Sequence, residues 1–282
     1  MILVADSGSS KTDWWLSNGA DVNTRFESVG LNPTFCSQDF IVETLKNTFS
    51  ESDIKVITKI FFYGAGCRST EEIARVKNAL AIVFPEAENM VDHDIKGSAI
   101  ATCGNQEGIA CILGTGSNVC LWNGADVMPQ IPVFGMGYII GDDGSGSHLG
   151  KTLLRKYLYN EMPADLRNEL IEMGINKTNI VENVYGKEGA NRYLASFARF
   201  IQDRKTHPFL QELVKECFHV FFKTHIVKYD NYQTLPVNFV GSIAFIFEEQ
   251  LKEVAAEYGA HVGIVIKKPI DNLLKFHLPD IN

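Results

Sequence analysis

Ile2-Leu-Val-Ala-Asp-Ser-Gly-Ser-Ser-Lys-Thr-Asp-Trp-Trp-Leu-Ser-Asn-Gly-Ala-Asp-Val22 holds an apolar run, a cluster of small residues and a second apolar run. Residues 2–5 read as a buried strand entering a turn, residues 14–16 as a second strand, and Ser17-Asn-Gly-Ala20 supplies hairpin turn chemistry. The pattern returns about 105 residues later. There, Cys120-Leu-Trp-Asn-Gly-Ala-Asp-Val127 shares Leu, Asn, Gly, Ala, Asp and Val in register with residues 15–22. It too follows an apolar strand (residues 109–113) and a small-residue loop, Gly114-Thr-Gly-Ser-Asn118. The matching context marks two related lobes, each opening strand–loop–strand.

Working outward from these stretches, helical spacing covers residues 38–49, with Phe40, Ile41, Leu45 and Phe49 on one stripe. Residues 57–63 form an apolar, aromatic strand that breaks at Gly64-Ala-Gly66. An amphipathic helix follows at residues 69–84, capped by Ser69 or Thr70 with Glu72 nearby. Asp94 precedes a helix expected to start at Gly97. Residues 149–229 are almost wholly helical, 237–247 return to strand, 248–258 to helix and 262–266 to strand. Alternating strands and helices predict an α/β protein.

Composition narrows the function. With 282 residues, 45% of them hydrophobic and 21% charged, the chain has ample core for about two domains and is no disordered segment. Acidic residues outnumber basic ones 34 to 26, a net charge of −8, which disfavours non-specific nucleic-acid and anionic-membrane partners. The first residues lack a basic segment ahead of their short apolar run, and no stretch approaches a membrane span. Six cysteines without metal-ligand spacing fit buried thiols, and the expected compartment is the cytoplasm.

A small-residue loop between two strands lets backbone N–H groups converge on an anion, and Ser, Thr and Lys add donors. Both loops fit a phosphate cradle, although either alone fits an ordinary glycine-rich hairpin turn. The P-loop pattern fails because Ser10 stands where glycine is needed, and the dinucleotide fingerprint fails at Val119. Asp6, at its strand's end, suits Mg²⁺ held through water beside phosphate, or a turn cap. Gly141-Asp-Asp-Gly-Ser145 suits sugar hydroxyls better than a cation, because it lacks the spaced oxygens of a calcium loop. His93 and His148, near these segments, read as structural or surface imidazoles.

Asp6-x-Gly-x-x-Lys-Thr12 resembles the first phosphate loop of the actin-like ATPase and sugar-kinase superfamily, and Gly114-Thr-Gly-Ser-Asn118 resembles its second. Val240-Gly-Ser-Ile-Ala244 resembles its adenosine loop. Asp94-Ile-Lys-Gly-Ser-Ala99 and Gly135-Met-Gly-Tyr-Ile-Ile-Gly-Asp-Asp-Gly-Ser145 add a similarity to the N-acetylglucosamine kinase group, within the BadF/BadG/BcrA/BcrD-type ATPase family. The resemblance runs in order from residue 2 to about 247.

It implies two actin-like lobes, each around a mixed five-stranded sheet with flanking helices, and a nucleotide and sugar cleft between them. The lobes would be residues 1–106, with a C-terminal helix at 268–282 as a candidate addition, and residues 107–267. It further implies an ATP- and Mg²⁺-dependent kinase acting on an N-acetylhexosamine, foremost N-acetylglucosamine, as a homodimer. Asp94 would be the catalytic acid-base. Asp6, Gly8, Lys11, Thr12, Thr115, Ala195, Gly241 and Ser242 would serve the nucleotide, with Thr12 and Thr115 at its phosphates and Ala195 and Ser242 near the nucleoside. Asn32, Asp94, Ser117, Asn118, Gly135, Met136 and Asp142 would contact the sugar. Met136 replaces a tryptophan common in relatives, so the sugar wall differs, and the tail after Ile266 lacks the usual Gly-Ala helix.

A carboxylate suits Asp94's role independently, since it can hydrogen-bond a hydroxyl and take its proton late in phosphoryl transfer. Simple helix capping is the alternative for Asp94, and Asp92 could compete for the role. A related activator ATPase is the rival function. It would carry an iron–sulfur cluster on cysteines, for which Cys103 and Cys111 are the nearest candidates.

Overall fold

The computed structural model describes residues 1–128 and 135–278. The chain divides into two compact units, one of Met1–Gln106, Asn123–Val127 and the segment from Lys268 onward, the other of Glu107–Trp122 and Met128–Lys267.

The first unit is built on β1 (Ile2–Ser7), β2 (Lys11–Ser17), β3 (Asn23–Val29), β4 (Lys59–Gly64) and β5 (Glu88–His93), in the order β3-β2-β1-β4-β5. β1 pairs antiparallel with β2 and parallel with β4, so it is the central strand; its apolar run follows from burial on both faces. Alternation sends Leu3, Ala5, Trp14, Leu16, Ile60 and Phe62 to one face. That face packs under the helices Gln38–Thr48 and Thr70–Val83, where Trp14 meets Phe49 edge-on at 5.2 Å. The opposite face carries the helix Asp94–Cys103 and the helix Ile270–His277. His277 stacks on Phe61 at 3.7 Å and meets the Tyr63 hydroxyl at 2.9 Å, which anchors the last helix without a Gly-Ala motif.

In the second unit β6 (Glu107–Leu113), β7 (Ser117–Asn123), β8 (Val127–Met128), β9 (Pro236–Val240) and β10 (His261–Ile266) lie in the order β10-β9-β6-β7-β8. Substituting β6 for β1 and continuing in sequence reproduces the first sheet's order. The echoed hairpins share their turn chemistry as well. Asn18 Oδ1 accepts from the Ala20 and Val22 amides, and Asn123 Oδ1 from those of Ala125 and Asp126. The following glycines adopt φ of 81° and 91°, which a side chain would resist. Around this sheet lies an apolar core including Phe218, Phe221, Phe222 and Phe239. Helices Gly146–Leu158 and Ala190–Gln202 approach so closely that a Cβ on Gly150 would sit 1.8 Å from the Leu194 carbonyl oxygen.

Several elements differ from the sequence reading. The strand expected at 237–247 ends at Val240, because Gly241 at φ 127° turns the chain into the short helix Ser242–Ile246. The helix expected from Gly97 begins at Asp94 itself. β3 and β5 are edge strands of mostly polar, partly exposed residues and show no apolar alternation. No helix among the described residues is long and apolar enough to cross a membrane.

Candidate active site

In the first unit the loop Gly8–Ser10 turns between β1 and β2, with the Gly8 amide donating to the Lys11 carbonyl at 2.9 Å. The end of β3 backs this loop. A Cβ on Gly30 would lie 2.4 Å from the Gly8 carbonyl oxygen and 2.7 Å from the Ser10 nitrogen, so glycine there permits the close approach. Asn32 sits beside the loop and is nearly buried; its amide donates to Ser9 Oγ at 2.9 Å, and its Oδ1 accepts from the Thr34 amide.

Thr12 was expected to reach a phosphate; its hydroxyl is taken up inside the hairpin. It is fully buried, 2.8 Å from Ser7 Oγ, and donates to the Val29 carbonyl at 3.1 Å. The alternation of β2 turns Thr12 toward the core, opposite Ser7, and Lys11 and Asp13 toward the other face. Lys11 pairs there with Glu27 and, at 3.3 Å, with Asp13. Such half-exposed pairs give way at little cost.

Asp13 is the cross-strand neighbour of Asp6. Burial pushes the Asp6 carboxyl up to about 7, the Asp94 and Asp13 charges push the same way, and Lys268 opposes them. Burial also raises Asp94, against its bond from the Ile95 amide at 2.8 Å and the charges of His93 and Arg68. Lys268, from the start of the last helical segment, holds both Asp13 oxygens at 3.0 and 2.8 Å. Raised carboxyls grouped at strand ends and a helix start are a frequent mark of functional chemistry. Among the described residues no group of three or more His, Cys, Asp or Glu side chains is placed to hold a metal ion. Mg²⁺, which keeps waters and leans on one or two carboxylates plus phosphates, needs no such cage.

In the second unit the exposed Thr115 crowns the turn between β6 and β7, where the Gly114 amide donates to the Gly116 carbonyl at 3.0 Å. The Gly146 and Ser147 amides donate to the Gly114 and Thr115 carbonyls at 2.8 and 3.1 Å, stitching a helix start to the loop. The Gly241 turn abuts the same loop: a Cβ there would fall 2.2 Å from the Leu113 carbonyl oxygen. Ala195 is 3.2 Å from where a Gly146 Cβ would stand, so Thr115, Ala195, Gly241 and Ser242 lie in one neighbourhood.

On the loop's other side, Asp142 Oδ1 accepts from the Ser117 amide at 3.2 Å. Its carboxylate covers Gly116, where a Cβ would be 2.8 Å from it. Ser117, Asn118, Gly135, Met136 and Asp142 line a single cavity of about 40 Å³, together with Asp143, Phe221 and His225. Phe221 and His225 were not foreseen, and Asp143 was read only as part of its loop. Asp143 shares the glycine-flanked loop, but nothing in sequence points from there to residue 225.

No family model matches the chain, and no curated protein matches it. Among solved structures, a Porphyromonas gingivalis protein named "Putative N-acetylglucosamine Kinase" is 36% identical, with 99% of each chain covered and a TM-score of 0.91. The chain belongs to the N-acetylglucosamine kinase-like family. The family lies among the actin-like ATPases and sugar kinases, phosphotransferases with an alcohol acceptor. A Chromobacterium violaceum protein of the same designation is 16% identical, covers 98% of each chain and reaches a TM-score of 0.69. A glucokinase of the ROK family from Streptomyces griseus, solved with glucose and AMPPNP, is 11% identical with a TM-score of 0.58; coverage is 99% of this chain and 98% of that one. At those identities both speak for the fold alone. In this N-acetylglucosamine kinase-like chain, Cys111 is fully buried in β6, and none of the six cysteines forms a disulfide.

Proposed function

We propose that the protein phosphorylates a hydroxyl of an N-acetylhexosamine, foremost N-acetylglucosamine, with ATP as donor. The observation that carries this is the match, over nearly the whole chain, to the Porphyromonas gingivalis protein of that name. In the first unit Asp94 is the general base: a carboxyl raised by burial holds a proton better than an exposed one, and it stands at a helix start whose dipole faces incoming negative charge. Asp6, with Asp94 and Asp13 near, offers negative charge that a divalent cation would neutralise. Mg²⁺, when bound, would shield charge on the phosphoryl oxygens.

The backbone of Gly8–Ser10, with Lys11 released from its surface pairs, and the hydroxyl of Thr115 bind phosphates. Ala195, Gly241 and Ser242 take the nucleoside. Ser117, Asn118, Gly135, Met136 and Asp142 take the sugar, as does Asn32 in the first unit. These residues of the second unit line one small cavity of about 40 Å³, which brings the Asp142 carboxylate beside Ser117 and Asn118. Thiols held without disulfides suit a cytoplasmic location.

The deciding experiment is ATP consumption with Mg²⁺ against a panel of N-acetylated and plain hexoses, with the product identified. N-acetylglucosamine should stimulate turnover most and yield a sugar phosphate. If no sugar stimulates turnover, the kinase reading falls.

A further inference from the structure

Asp142 is one of two non-glycine residues in the described chain with a positive φ, at 56°. An L-residue stays in that region only where its surroundings impose it. The loop around it is accordingly restrained from several sides. Ser145 donates to the Asp142 carbonyl at 3.1 Å, Gly144 donates to His148 Nδ1 at 3.0 Å, and Lys151 holds the Tyr138 carbonyl at 3.1 Å. One restraint is incomplete. His225, at the end of the helix Pro208–Thr224, places its buried Nε2 3.2 Å from Asp143 Oδ2 but outside hydrogen-bond alignment, and among the described residues that nitrogen has no hydrogen-bond partner. Both residues line the cavity that Asp142 lines.

We propose that His225 is a positioning residue of the sugar pocket: by holding the Asp143 carboxylate it keeps Asp142 in its left-handed conformation, with its carboxylate aimed at the Ser117 amide and the cavity. This rests on the reading of that cavity as part of the sugar site. His225 does not touch substrate in this role, since its Nε2 is closed to solvent. Its ring packs against Phe221 at 5.2 Å, which fixes the direction from which it reaches the loop. The Asp143 carboxyl lies below the ordinary carboxylate range, chiefly through the His225 contact, so the acceptor is charged. A buried polar contact between the end of that helix and the loop fixes the loop in the conformation that presents Asp142 to the cavity.

The test is steady-state kinetics of the full chain, with melting temperatures measured alongside, for wild type, His225→Phe, His225→Gln, Asp143→Asn and the double variant His225→Phe/Asp143→Asn. Phenylalanine keeps the ring and removes the polar nitrogen; glutamine returns an amide donor. His225→Phe should raise the KM for N-acetylglucosamine about tenfold, a factor worth about 1.4 kcal/mol, with the ATP KM and kcat nearly unchanged. Glutamine should recover most of the loss. The double variant should be no worse than the poorer single one, because both act through one contact. An unchanged sugar KM, equal losses for both substrates, or multiplying losses in the double variant would overturn the proposal and leave the kinase reading intact. If wild type phosphorylates no sugar, both fall together.

Discussion

The threonines of the two echoed small-residue loops resemble each other in sequence and differ in what their hydroxyls meet. Thr12 completes a buried hydrogen-bond pair inside the hairpin, whereas Thr115 stands exposed at its turn. Thr12→Val should therefore cost about 1–3 kcal/mol of stability, read as a lowered urea midpoint, and leave ATP kinetics close to normal. Thr115→Val should do the reverse, weakening ATP use at unchanged stability. A Thr12→Val enzyme of native stability with a raised ATP KM would return that hydroxyl to the phosphate site. The aspartates separate by kinetic parameter. Asp94, as base, interacts most strongly while the proton leaves, so Asp94→Asn should lower kcat by ~10²-fold or more with sugar still bound. Asp142, as a sugar ligand, would bond hydroxyls in ground and transition state alike, so Asp142→Ala should chiefly raise the sugar KM. Kinetics of both variants with N-acetylglucosamine check this, and exchanged behaviour would reverse the roles.

At the scale of elements, glycine decides how closely loops approach. Gly30 lets the end of β3 lie against the Gly8–Ser10 turn, and alanine there would have to displace backbone, not a mobile side chain. Gly30→Ala should raise the ATP KM most, with a smaller rise in the sugar KM through Asn32, whose amide bonds Ser9 of the same turn. An unaltered ATP KM would detach that turn from the nucleotide.

Gly30 was not legible in the sequence. The hairpin echo was, because an Asx turn followed by a positive-φ glycine needs the same few residues wherever it occurs. The central strands were also legible, since burial on both faces leaves a continuous apolar run. β3 and β5 were not: an edge strand with one face open to water is free to be polar. The segments around Asp6 and Asp142 stood out because small residues and carboxylates cluster in the sequence there, whereas Asp94 stood out chiefly through the resemblance. Asp13, Lys268 and His225 join those loops through strand alternation and chain return, which local pattern does not encode.

For the molecule as a whole, the carboxylate group of the first unit makes stability depend on pH in a direction opposite to that of most acidic residues. The Asp6 carboxyl titrates near 7 in the folded chain, against 3.8 without the fold's surroundings. A raised carboxyl means the folded state holds its proton more tightly than the unfolded state does. Stability from this group is thus fully present below about pH 4 and is lost as pH rises through 7, after which the penalty is constant. With about 1.36 kcal/mol lost per pH unit between those two titrations, the penalty reaches about 4 kcal/mol. Asn mimics the protonated form and cannot ionise. Asp6→Asn should accordingly match wild type near pH 4 and become progressively more stable than wild type up to about pH 7, by urea denaturation without metal or nucleotide. The same variant should lose kinase activity, because the charge that destabilises the empty fold is the charge a bound cation would neutralise. A stability difference that stays flat from pH 4 to 8 would show that Asp6 ionises freely in the fold. The acidic group would then be a solvated cluster, with no stability given up to hold charge in place for catalysis.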